Sequence, residues 1–383
     1  MNIEPFTLER WMTRWELHVD FDIDESGILP LSLRQVLDLL PTDVAAETTR
    51  YIHETPLGYS EARGTARLRS VLASTYARAQ PDDVLVTTGA IEANFLLFHA
   101  LVSPGDHVVA VTPAYQQLNS VPRAIGADVS LWDVRSPHGF RYDLDLLESL
   151  LRPNTRLIVI NSPHNPTGAM LDEADLKRIV ELADRSGAWI LSDEAYRWLE
   201  HPGGRPLPPP LHDLSDRAIS VGTMSKSFGL PGLRVGWFAA NADIAATAWG
   251  LRDYISLSPA KVSDAIAAAV IEHRDRFLPR NAAIIAENLA FAREWFTSHA
   301  DLATWNEPHA GLLAMMRYTA DMGSSELADD LARNSRVMLA PGSSFGLEGY
   351  LRIGIGQRPD IFAEGLRRTA EHLSRLPVTA GVE

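Results

Sequence analysis

The sequence contains no cysteine among its 383 residues. Disulfide bonds, thiolate metal ligands, iron–sulfur clusters and cysteine nucleophiles are therefore excluded. The 12 histidines are scattered along the chain, without a His-Glu-x-x-His pattern or another close ligand spacing. We therefore expect no metal site.

Long apolar runs and an excess of basic residues are also absent. No apolar run approaches the ~20 residues that a membrane helix needs, and the first residues carry charges where a secretory signal would have an apolar core. The chain has 35 basic and 49 acidic residues, a net charge of −14, which disfavours binding to nucleic acid or to an anionic membrane. We expect a soluble, cytoplasmic protein that binds neither.

The composition is that of an ordinary globular protein, with 46% hydrophobic and 22% charged residues in a chain long enough for two or three domains. Between residues 82 and 240, short β-branched segments alternate with helix-length segments. This alternation predicts an α/β fold in which helices cover both faces of a mostly parallel sheet. Strands are predicted at Val84–Thr88, His107–Val111, Val129–Trp132, Leu157–Asn161, Trp189–Ser192, Ile219–Gly222 and Arg234–Ala239.

The two ends of the chain are predicted to form a second, smaller α+β domain. We divide the chain into an N-terminal segment that joins this small domain (1–45), a large domain (46–265) and the small C-terminal domain (266–383). The C-terminal part contains helical and strand patterns in alternation, at residues 260–300, Gly311–Arg317, 324–335, Val337–Ala340, Tyr350–Ile355 and 360–375.

The most informative segment is a lysine among small residues, Gly222-Thr-Met-Ser-Lys-Ser-Phe-Gly-Leu-Pro-Gly-Leu-Arg234, which follows a predicted buried strand. In such sheets ligands bind beyond the carboxyl ends of the strands. Thr223, Ser225 and Arg234 would together hold a phosphate there, leaving Lys226 as a desolvated amine that forms an imine with a carbonyl compound. A surface lysine beside a glycine turn is the alternative, but the whole string favours a functional site.

Two further polar segments follow predicted strands. One is Asn161-Ser-Pro-His-Asn-Pro-Thr-Gly168, which contains Asn165, and the other contains Asp193 and Tyr196. An acid directly after a buried strand is costly unless it meets a cation, a condition that a protonated ring nitrogen would satisfy. Asn165 and Tyr196 would donate hydrogen bonds to a phenolate. Alone, these motifs are a turn and a helix N-cap, but together with Lys226 they indicate one site.

In the order of these motifs the sequence resembles the class I and II aminotransferases, the aspartate-aminotransferase-like enzymes of fold type I that use pyridoxal 5'-phosphate (PLP). The resemblance covers nearly the whole chain and implies a large domain with a seven-stranded sheet. The N-terminal stretch and Pro113–Leu118 resemble the branch that includes capreomycidine synthase and PLP enzymes of antibiotic tailoring. The matching segments are Gly58-Tyr59, Gly64, Leu68-Arg69, Thr87–Ile91, Pro113–Tyr115, the Asn165 motif, Asp193–Tyr196, the Lys226 segment, Pro341–Gly346 and Leu351–Ile353.

The resemblance implies how these residues would bind the ring of PLP. Lys226 corresponds to the Schiff-base lysine, which also moves the proton at the substrate's Cα. Asp193 corresponds to the carboxylate that keeps the ring nitrogen protonated. Asn165 and Tyr196 correspond to the partners of the phenolic oxygen, and Tyr115 to the aromatic residue stacked on the ring. Lys226, Asp193 and Tyr196 are therefore the predicted catalytic residues.

The resemblance also implies positions for the phosphate and the substrate. Tyr59 corresponds to a tyrosine that reaches the phosphate from the neighbouring subunit, which implies a homodimer. Arg352 corresponds to the arginine that grips the substrate's α-carboxylate as a bidentate fork, with Asn165 beside it and Gly27 over the substrate. The residues expected to hold the phosphate from within the subunit, partly through backbone N–H groups at a helix start, are Gly89, Ala90, Ile91, Thr223, Ser225 and Arg234.

The implied activity is that of a PLP-dependent aminotransferase acting on an α-amino acid. The same residues also serve β-elimination by carbon–sulfur lyases, cyclisation, and decarboxylation with oxidative deamination in natural-product biosynthesis, so these alternatives stay open. A regulator or inactive scaffold is disfavoured because Lys226 and Asp193 are both present and the chain is acidic. The sequence fixes neither the substrate's side chain nor a role for His164.

Overall fold

The computed structural model describes residues 2–136 and 139–378. Its helices are α1 (Thr7–Trp15), α2 (Leu33–Leu39), α3 (Thr42–Glu54), α4 (Ala66–Ala73), α5 (Ala90–Leu101), α6 (Gln117–Ile125), α7 (Leu144–Leu150), α8 (Glu173–Ser186), α9 (Met224–Ser227), α10 (Ala242–Arg252), α11 (Lys261–Glu272), α12 (Leu278–Ser298), α13 (Ser324–Asp330) and α14 (Pro359–Leu373). Its strands are β1 (Phe21–Asp22), β2 (Val84–Thr87), β3 (His107–Thr112), β4 (Asp128–Asp133), β5 (Arg135–Ser136), β6 (Gly139–Phe140), β7 (Thr155–Asn161), β8 (Trp189–Asp193), β9 (Ala218–Thr223), β10 (Gly236–Ala239), β11 (Ala303–Trp305), β12 (Leu313–Tyr318), β13 (Val337–Met338), β14 (Ala340–Pro341) and β15 (Tyr350–Gly354).

Within the described residues, the larger sheet has seven strands in the order β2-β10-β9-β8-β7-β3-β4. Strand β10 is antiparallel to both of its neighbours, and the other pairs are parallel. The mostly parallel seven-stranded sheet is therefore confirmed. Each of the seven predicted strands ends within two residues of an observed one.

The centre of this sheet is apolar on both faces because helices cover both. In β7, Leu157 and Val159 pack with residues of α5, α6 and α10, whereas Ile158 and Ile160 pack with residues of α7 and α8 on the opposite face. All four side chains are fully buried, which is the pattern of a central parallel strand. In β7 this apolar run ends at Asn161, at the edge where such sheets bind ligands.

A second sheet of four antiparallel strands, in the order β11-β12-β15-β14, lies in the C-terminal part of the described chain. Helices α12 and α14 share its apolar core, and Leu8, Trp11, Ile23 and Ile28 from the N-terminal segment join the same core. In addition, β1 pairs in parallel with β13. Both ends of the chain thus contribute to the smaller unit, as predicted.

Three details of the predicted C-terminal pattern were wrong. The helical pattern at 260–300 is two helices, α11 and α12, separated by a 3₁₀ turn, and Pro279 near the start of α12 lacks the N–H that a continuous helix requires. The pattern at 324–335 ends as an α-helix at Asp330 and continues as one π-helical turn. The single strand predicted at Val337–Ala340 is split between β13 and β14, which belong to different sheets.

The division into domains remains a prediction. Helix α11 spans the proposed boundary between residues 265 and 266. Val36 and Leu40 of the N-terminal segment pack against α4, α11 and the edge of the large sheet rather than against the small sheet. Within the described ranges, no helix combines the length and the apolar character needed to cross a membrane.

Gly222 allows a direct test of how tightly the large sheet is packed. It lies in buried strand β9, where a Cβ atom would overlap the indole ring of Trp237. That ring is buried, and its Nε1 donates to Tyr76 Oη at 2.9 Å. We expect Gly222→Ala to lower the free energy of unfolding by ~1–3 kcal/mol, the usual cost of overpacking, and to lower the melting temperature measured by calorimetry.

Gly250→Ala is the matched control. Gly250 is exposed on α10, and a Cβ atom there would meet no other atom within 4 Å. Because alanine restricts the unfolded chain more than glycine does, this substitution should stabilise the protein by ~0.4–1 kcal/mol. If both variants melted at the same temperature, the Trp237 ring would have moved aside and the site would not be tightly packed.

Candidate active site

A cavity of about 450 Å³ lies at the carboxyl ends of β7, β8 and β9, with α1 and β15 completing its walls. Strands β7, β8 and β9 are neighbours in the sheet, so their terminal residues Asn161, Asp193 and Thr223 come together. The lining includes most of the residues that the sequence predicted, namely Ala90, Ile91, Tyr115, Asn165, Asp193, Tyr196, Thr223, Ser225, Lys226, Arg234 and Arg352.

Three predicted residues do not line this cavity. Gly89 lies beside it as the N-cap of α5. Gly27 lies in a segment next to the lysine, because the following residue, Ile28, donates its backbone N–H to the Lys226 carbonyl oxygen at 3.2 Å. Tyr59 is 84% exposed on the protein surface, so within one subunit it takes no part in the cavity.

Lys226 is presented by α9, directly after β9. Burial lowers the pKa of the Lys226 amine, and although Glu25 acts in the opposite direction, the charge of Arg352 adds to the lowering. Its Nζ donates to Ser26 Oγ at 2.6 Å. A buried amine that is more readily neutral is a nucleophile for a carbonyl carbon. Ser26 was missed in the sequence, where only the adjacent Gly27 carried a signal.

Asp193 ends β8 and is 7% exposed. Its Oδ2 accepts a hydrogen bond from Asn94 Nδ2 at 2.8 Å, and its Oδ1 accepts one from the Ala195 backbone at 3.1 Å. Burial raises the pKa of Asp193, and these two hydrogen bonds oppose the rise. Among the described residues, no cation forms an ion pair with this carboxylate. A ligand with a protonated ring nitrogen would supply the missing positive charge.

Asn94 is the second residue that sequence analysis missed. It lies on α5 in the segment Ala93-Asn-Phe-Leu-Leu-Phe98 and is almost completely buried. A polar side chain within an apolar helix must find a hydrogen-bond partner. That position was the available signal, and the partner is Asp193 from β8.

The start of α5 and the Arg234 side chain form an anion site. Gly89, the N-cap of α5, has φ +78°, and a Cβ atom there would lie 2.9 Å from Arg234 Nη2. The positive φ favours glycine here, and the absence of a Cβ atom leaves room for the guanidinium beside the helix start. Thr223 and Ser225 add hydroxyl groups, with Thr223 Oγ1 accepting from the Ser225 backbone at 3.1 Å. A helix N-terminus, an arginine and hydroxyl groups together suit a phosphate.

Arg352 is buried on β15 and forms a bidentate ion pair with Asp24, which is also buried. Nε and Nη2 lie 2.7 and 2.8 Å from the two carboxylate oxygens. The Asp24 carboxylate holds the pKa of Arg352 above its usual value, although burial acts in the opposite direction. Nη1 donates to Asn165 Oδ1 at 3.3 Å at the cavity wall. The Arg352 guanidinium, which was predicted to bind the substrate's carboxylate, therefore already binds Asp24 through Nε and Nη2. No motif in the sequence indicated Asp24.

Two further carboxylates line the cavity. Glu9, on α1, accepts a hydrogen bond from Tyr115 Oη at 2.9 Å. Glu25 Oε1 accepts one from the Gly27 backbone at 2.8 Å. Burial and the neighbouring Glu9 raise the pKa of Tyr115, so its hydroxyl remains a donor. Neither carboxylate has a cation in ion-pair contact among the residues that the structure describes.

His164 is turned away from this chemistry. It does not line the cavity, and its Nδ1 lies 2.7 Å from Thr167 Oγ1 within its own turn. Burial lowers the pKa of His164 to about 3, so the ring is neutral. Nor is a metal site formed within residues 2–136 and 139–378, since no group of three or more histidine, aspartate and glutamate side chains is placed to bind one.

The residues around the cavity fit the functional groups of PLP. The Asp193 carboxylate matches the ring nitrogen, the Lys226 amine matches the aldehyde, and the anion site at α5 matches the phosphate. Asn165 and Tyr196, both buried, line the same cavity. A ring nitrogen that paired with the Asp193 carboxylate would also explain why so polar a cluster is buried.

Comparison with known proteins agrees with this fit. The family model for class I and II aminotransferases matches residues 26–367. Capreomycidine synthase from Streptomyces vinaceus is 35% identical over 96% of this chain and 93% of its own. The structure of a PLP-dependent aminotransferase from Streptococcus suis superposes with a TM-score of 0.92 at 31% identity, covering 99% of this chain and 100% of the other.

A PLP-dependent cyclase, OrfR, superposes with a TM-score of 0.88 at 31% identity, covering 98% of each chain. The fold, the cavity and these relatives agree on the cofactor and on the family. The chain belongs to the class I and II aminotransferases, and the protein is an enzyme of this family that depends on PLP.

Proposed function

We propose that Lys226 holds PLP as a Schiff base and that the enzyme transfers the amino group of an α-amino acid to a keto acid in the cytoplasm. The observation that carries this proposal is the meeting of a desolvated amine, a buried carboxylate and an anion site in one cavity. When bound, PLP supplies an electron sink that weakens the bonds at the substrate's Cα. The chain's own residues determine how that weakening is used.

Each residue of the cavity has a specific task in this proposal. The Asp193 carboxylate, fixed by Asn94, keeps a proton on the ring nitrogen. The Lys226 amine, once freed by the incoming substrate, removes and returns the proton at Cα, and Ser26 Oγ accepts a hydrogen bond from it in the resting site. Asn165 and Tyr196 donate to the phenolic oxygen. Arg352 offers Nη1 to the substrate's carboxylate.

A cyclase is the second candidate, because capreomycidine synthase and the cyclase OrfR are as similar to this chain as the aminotransferase from Streptococcus suis is. The visible absorbance of the Lys226-bound cofactor distinguishes the two during titration with amino acids. Transamination converts the cofactor to its amine form and releases a keto acid. Cyclisation or elimination leaves the cofactor bound to Lys226 and releases no keto acid that retains the whole substrate skeleton.

We also propose that the active unit is a homodimer in which Tyr59 of each subunit completes the other subunit's phosphate site. Leu57, Tyr59 and Tyr254 are 85%, 84% and 91% exposed, which is unusual for large apolar side chains. A second, mostly apolar cavity of about 500 Å³ is lined by Arg234, by Ile91 and by Ile255, the residue that follows Tyr254. A second copy of the chain would cover both features.

The two glutamates indicate the substrate's side chain. Asp193, Arg234 and Lys226 are matched by the cofactor, and Arg352 is paired with Asp24. Glu9 and Glu25 are the charges of the lining that neither the cofactor nor an ion pair uses. We propose a substrate whose side chain carries a cation, since a distal carboxylate would meet two negative charges.

Asp193→Asn tests the role of the carboxylate. Asparagine keeps the shape but cannot hold a proton on the ring nitrogen by its charge. We expect turnover to fall ~100-fold or more, the range for losing a preorganised electrostatic partner. The absorbance band of the cofactor on Lys226 should persist, because the amine is untouched. A variant that kept both the band and full turnover would contradict this role.

Mixed dimers test the crossing of Tyr59. Lys226→Ala subunits and Tyr59→Ala subunits are each expected to be defective alone. In a hybrid dimer, one site has both defects while the other has an intact Lys226 and an intact Tyr59 from its neighbour. We therefore expect activity to reappear on mixing, measured at limiting PLP. If Tyr59 acted in its own subunit, mixing would restore nothing.

Glu9→Gln and Glu25→Gln test the proposed cationic side chain. Glutamine retains the acceptor for Tyr115 or for the Gly27 backbone but loses the charge. We expect the wild-type enzyme to prefer lysine to norleucine in kcat/KM, and each substitution to reduce that ratio roughly tenfold, about the value of one hydrogen bond to a charged group.

Glu16→Gln is the control, because Glu16 is exposed just after α1 and outside the cavity lining. Its ratio of kcat/KM for lysine to kcat/KM for norleucine should equal that of the wild type. If the wild-type enzyme preferred norleucine or glutamate, the proposal of a substrate with a cationic side chain would be overturned, but the proposal of transamination would not.

A further inference from the structure

Helix α1 forms one wall of the cavity, through Leu8, Glu9 and Met12. It has nine residues, and its N-cap, Phe6, makes no capping hydrogen bond through its side chain. Isolated helices shorter than ~12–15 residues are marginal in water. The position of this wall must therefore come from contacts with the rest of the molecule.

One set of contacts ties α1 to the large sheet. The Phe6 ring lies 4.7 Å from the Tyr115 ring, and the Thr7 backbone donates to Gln116 Oε1 at 2.9 Å. Gln116 Nε2 in turn donates to the Pro5 carbonyl oxygen at 3.0 Å. These contacts hold the beginning of the helix, together with the bond between Glu9 and Tyr115.

The other end of α1 packs in the apolar core through Trp11 and is hydrogen-bonded to α13 through the carboxylate of Asp329. Trp11 Nε1 and Trp15 Nε1 both donate to Asp329 Oδ1, at 2.8 and 2.7 Å. Arg14 Nη1 lies 3.3 Å from Asp329 Oδ2. Trp11 is 7% exposed, so its indole N–H would have little access to water if Asp329 were removed.

We propose that Asp329 is a positioning residue for substrate recognition, which acts by fixing Trp11 and Trp15 and hence the wall that carries Glu9. Asp329 does not line the cavity and touches neither the cofactor residues nor the lysine segment. It holds the C-terminal half of a helix whose residues Leu8, Glu9 and Met12 line the cavity. The proposal rests on the proposed function, because it assumes that the substrate binds in this cavity.

Asp329→Ala should loosen the C-terminal half of α1, which would then be held by the packing of Trp11 in the apolar core. We expect KM for lysine to rise about tenfold or more, as the loss of hydrogen bonds to a charged acceptor implies, with kcat changed less than about threefold. Asp329→Asn keeps an oxygen that both indoles can reach and should restore KM. Asp330→Ala is the control: it removes the neighbouring carboxylate, which lies 3.0 Å from His372 Nε2 and has no contact with α1.

Hydrogen–deuterium exchange of residues 7–15 supplies a reading that does not need turnover. In Asp329→Ala, but not in Asp330→Ala, exchange in this peptide should rise while exchange in α5 and α9 stays unchanged. If exchange rose and KM did not, α1 would not position the substrate and the proposal would be overturned. If all three variants raised KM and lowered kcat by the same factor, the effect would be purely structural, and the proposal would also be overturned.

The two proposals fail separately. If the wild-type enzyme turned over no amino acid, the proposed function would fail. The exchange experiment would then still decide whether Asp329 fixes α1, and the dissociation constant of lysine for the PLP-loaded protein would replace KM. An unchanged dissociation constant in Asp329→Ala would overturn the positioning role.

Discussion

The Asp193 carboxylate is buried, and no cationic side chain among the described residues forms an ion pair with it. The rest of the site is best understood from this constraint. A charge at the end of a central strand is costly, and among the described residues the hydrogen bonds from Asn94 and Ala195 reduce that cost most. In the proposed function, one ligand would supply the positive charge, occupy the anion site at α5 and engage Lys226. The ring nitrogen of PLP thus suits the electrostatics of this site.

The parts of the structure that sequence analysis predicted well are those with a local signal. Leu157–Ile160 is an unbroken apolar segment, and the polar residue that follows it marks the end of the strand. The same reasoning located Asp193 and Lys226 at the ends of β8 and β9. Because parallel strands end at one edge, three separate motifs were expected to meet, and the structure brings them into one cavity.

The residues that were missed come from contacts between distant parts of the chain. Asp24 and Arg352 are 328 positions apart, and no pattern around Asp24 indicates a buried ion pair. Glu9 lies near the beginning of the chain, where no motif indicated a side chain of the site. The break between α11 and α12 was missed for a different reason, since helical periodicity continues through a short 3₁₀ turn. Long-range pairing is a property of the fold and leaves no local trace in the sequence.

The ion pair between Asp24 and Arg352 bears on how the enzyme exchanges its ligands. A lone buried guanidinium would bind any carboxylate tightly, because binding would relieve its desolvation. Here that relief is already provided, so an incoming acid shares one cation with Asp24 and gains less. If Arg352 binds the substrate as proposed, the ion pair therefore lowers the affinity of its guanidinium for the carboxylates of both reactant and product. An enzyme that must let one acid go before it admits the next gains faster release from this arrangement.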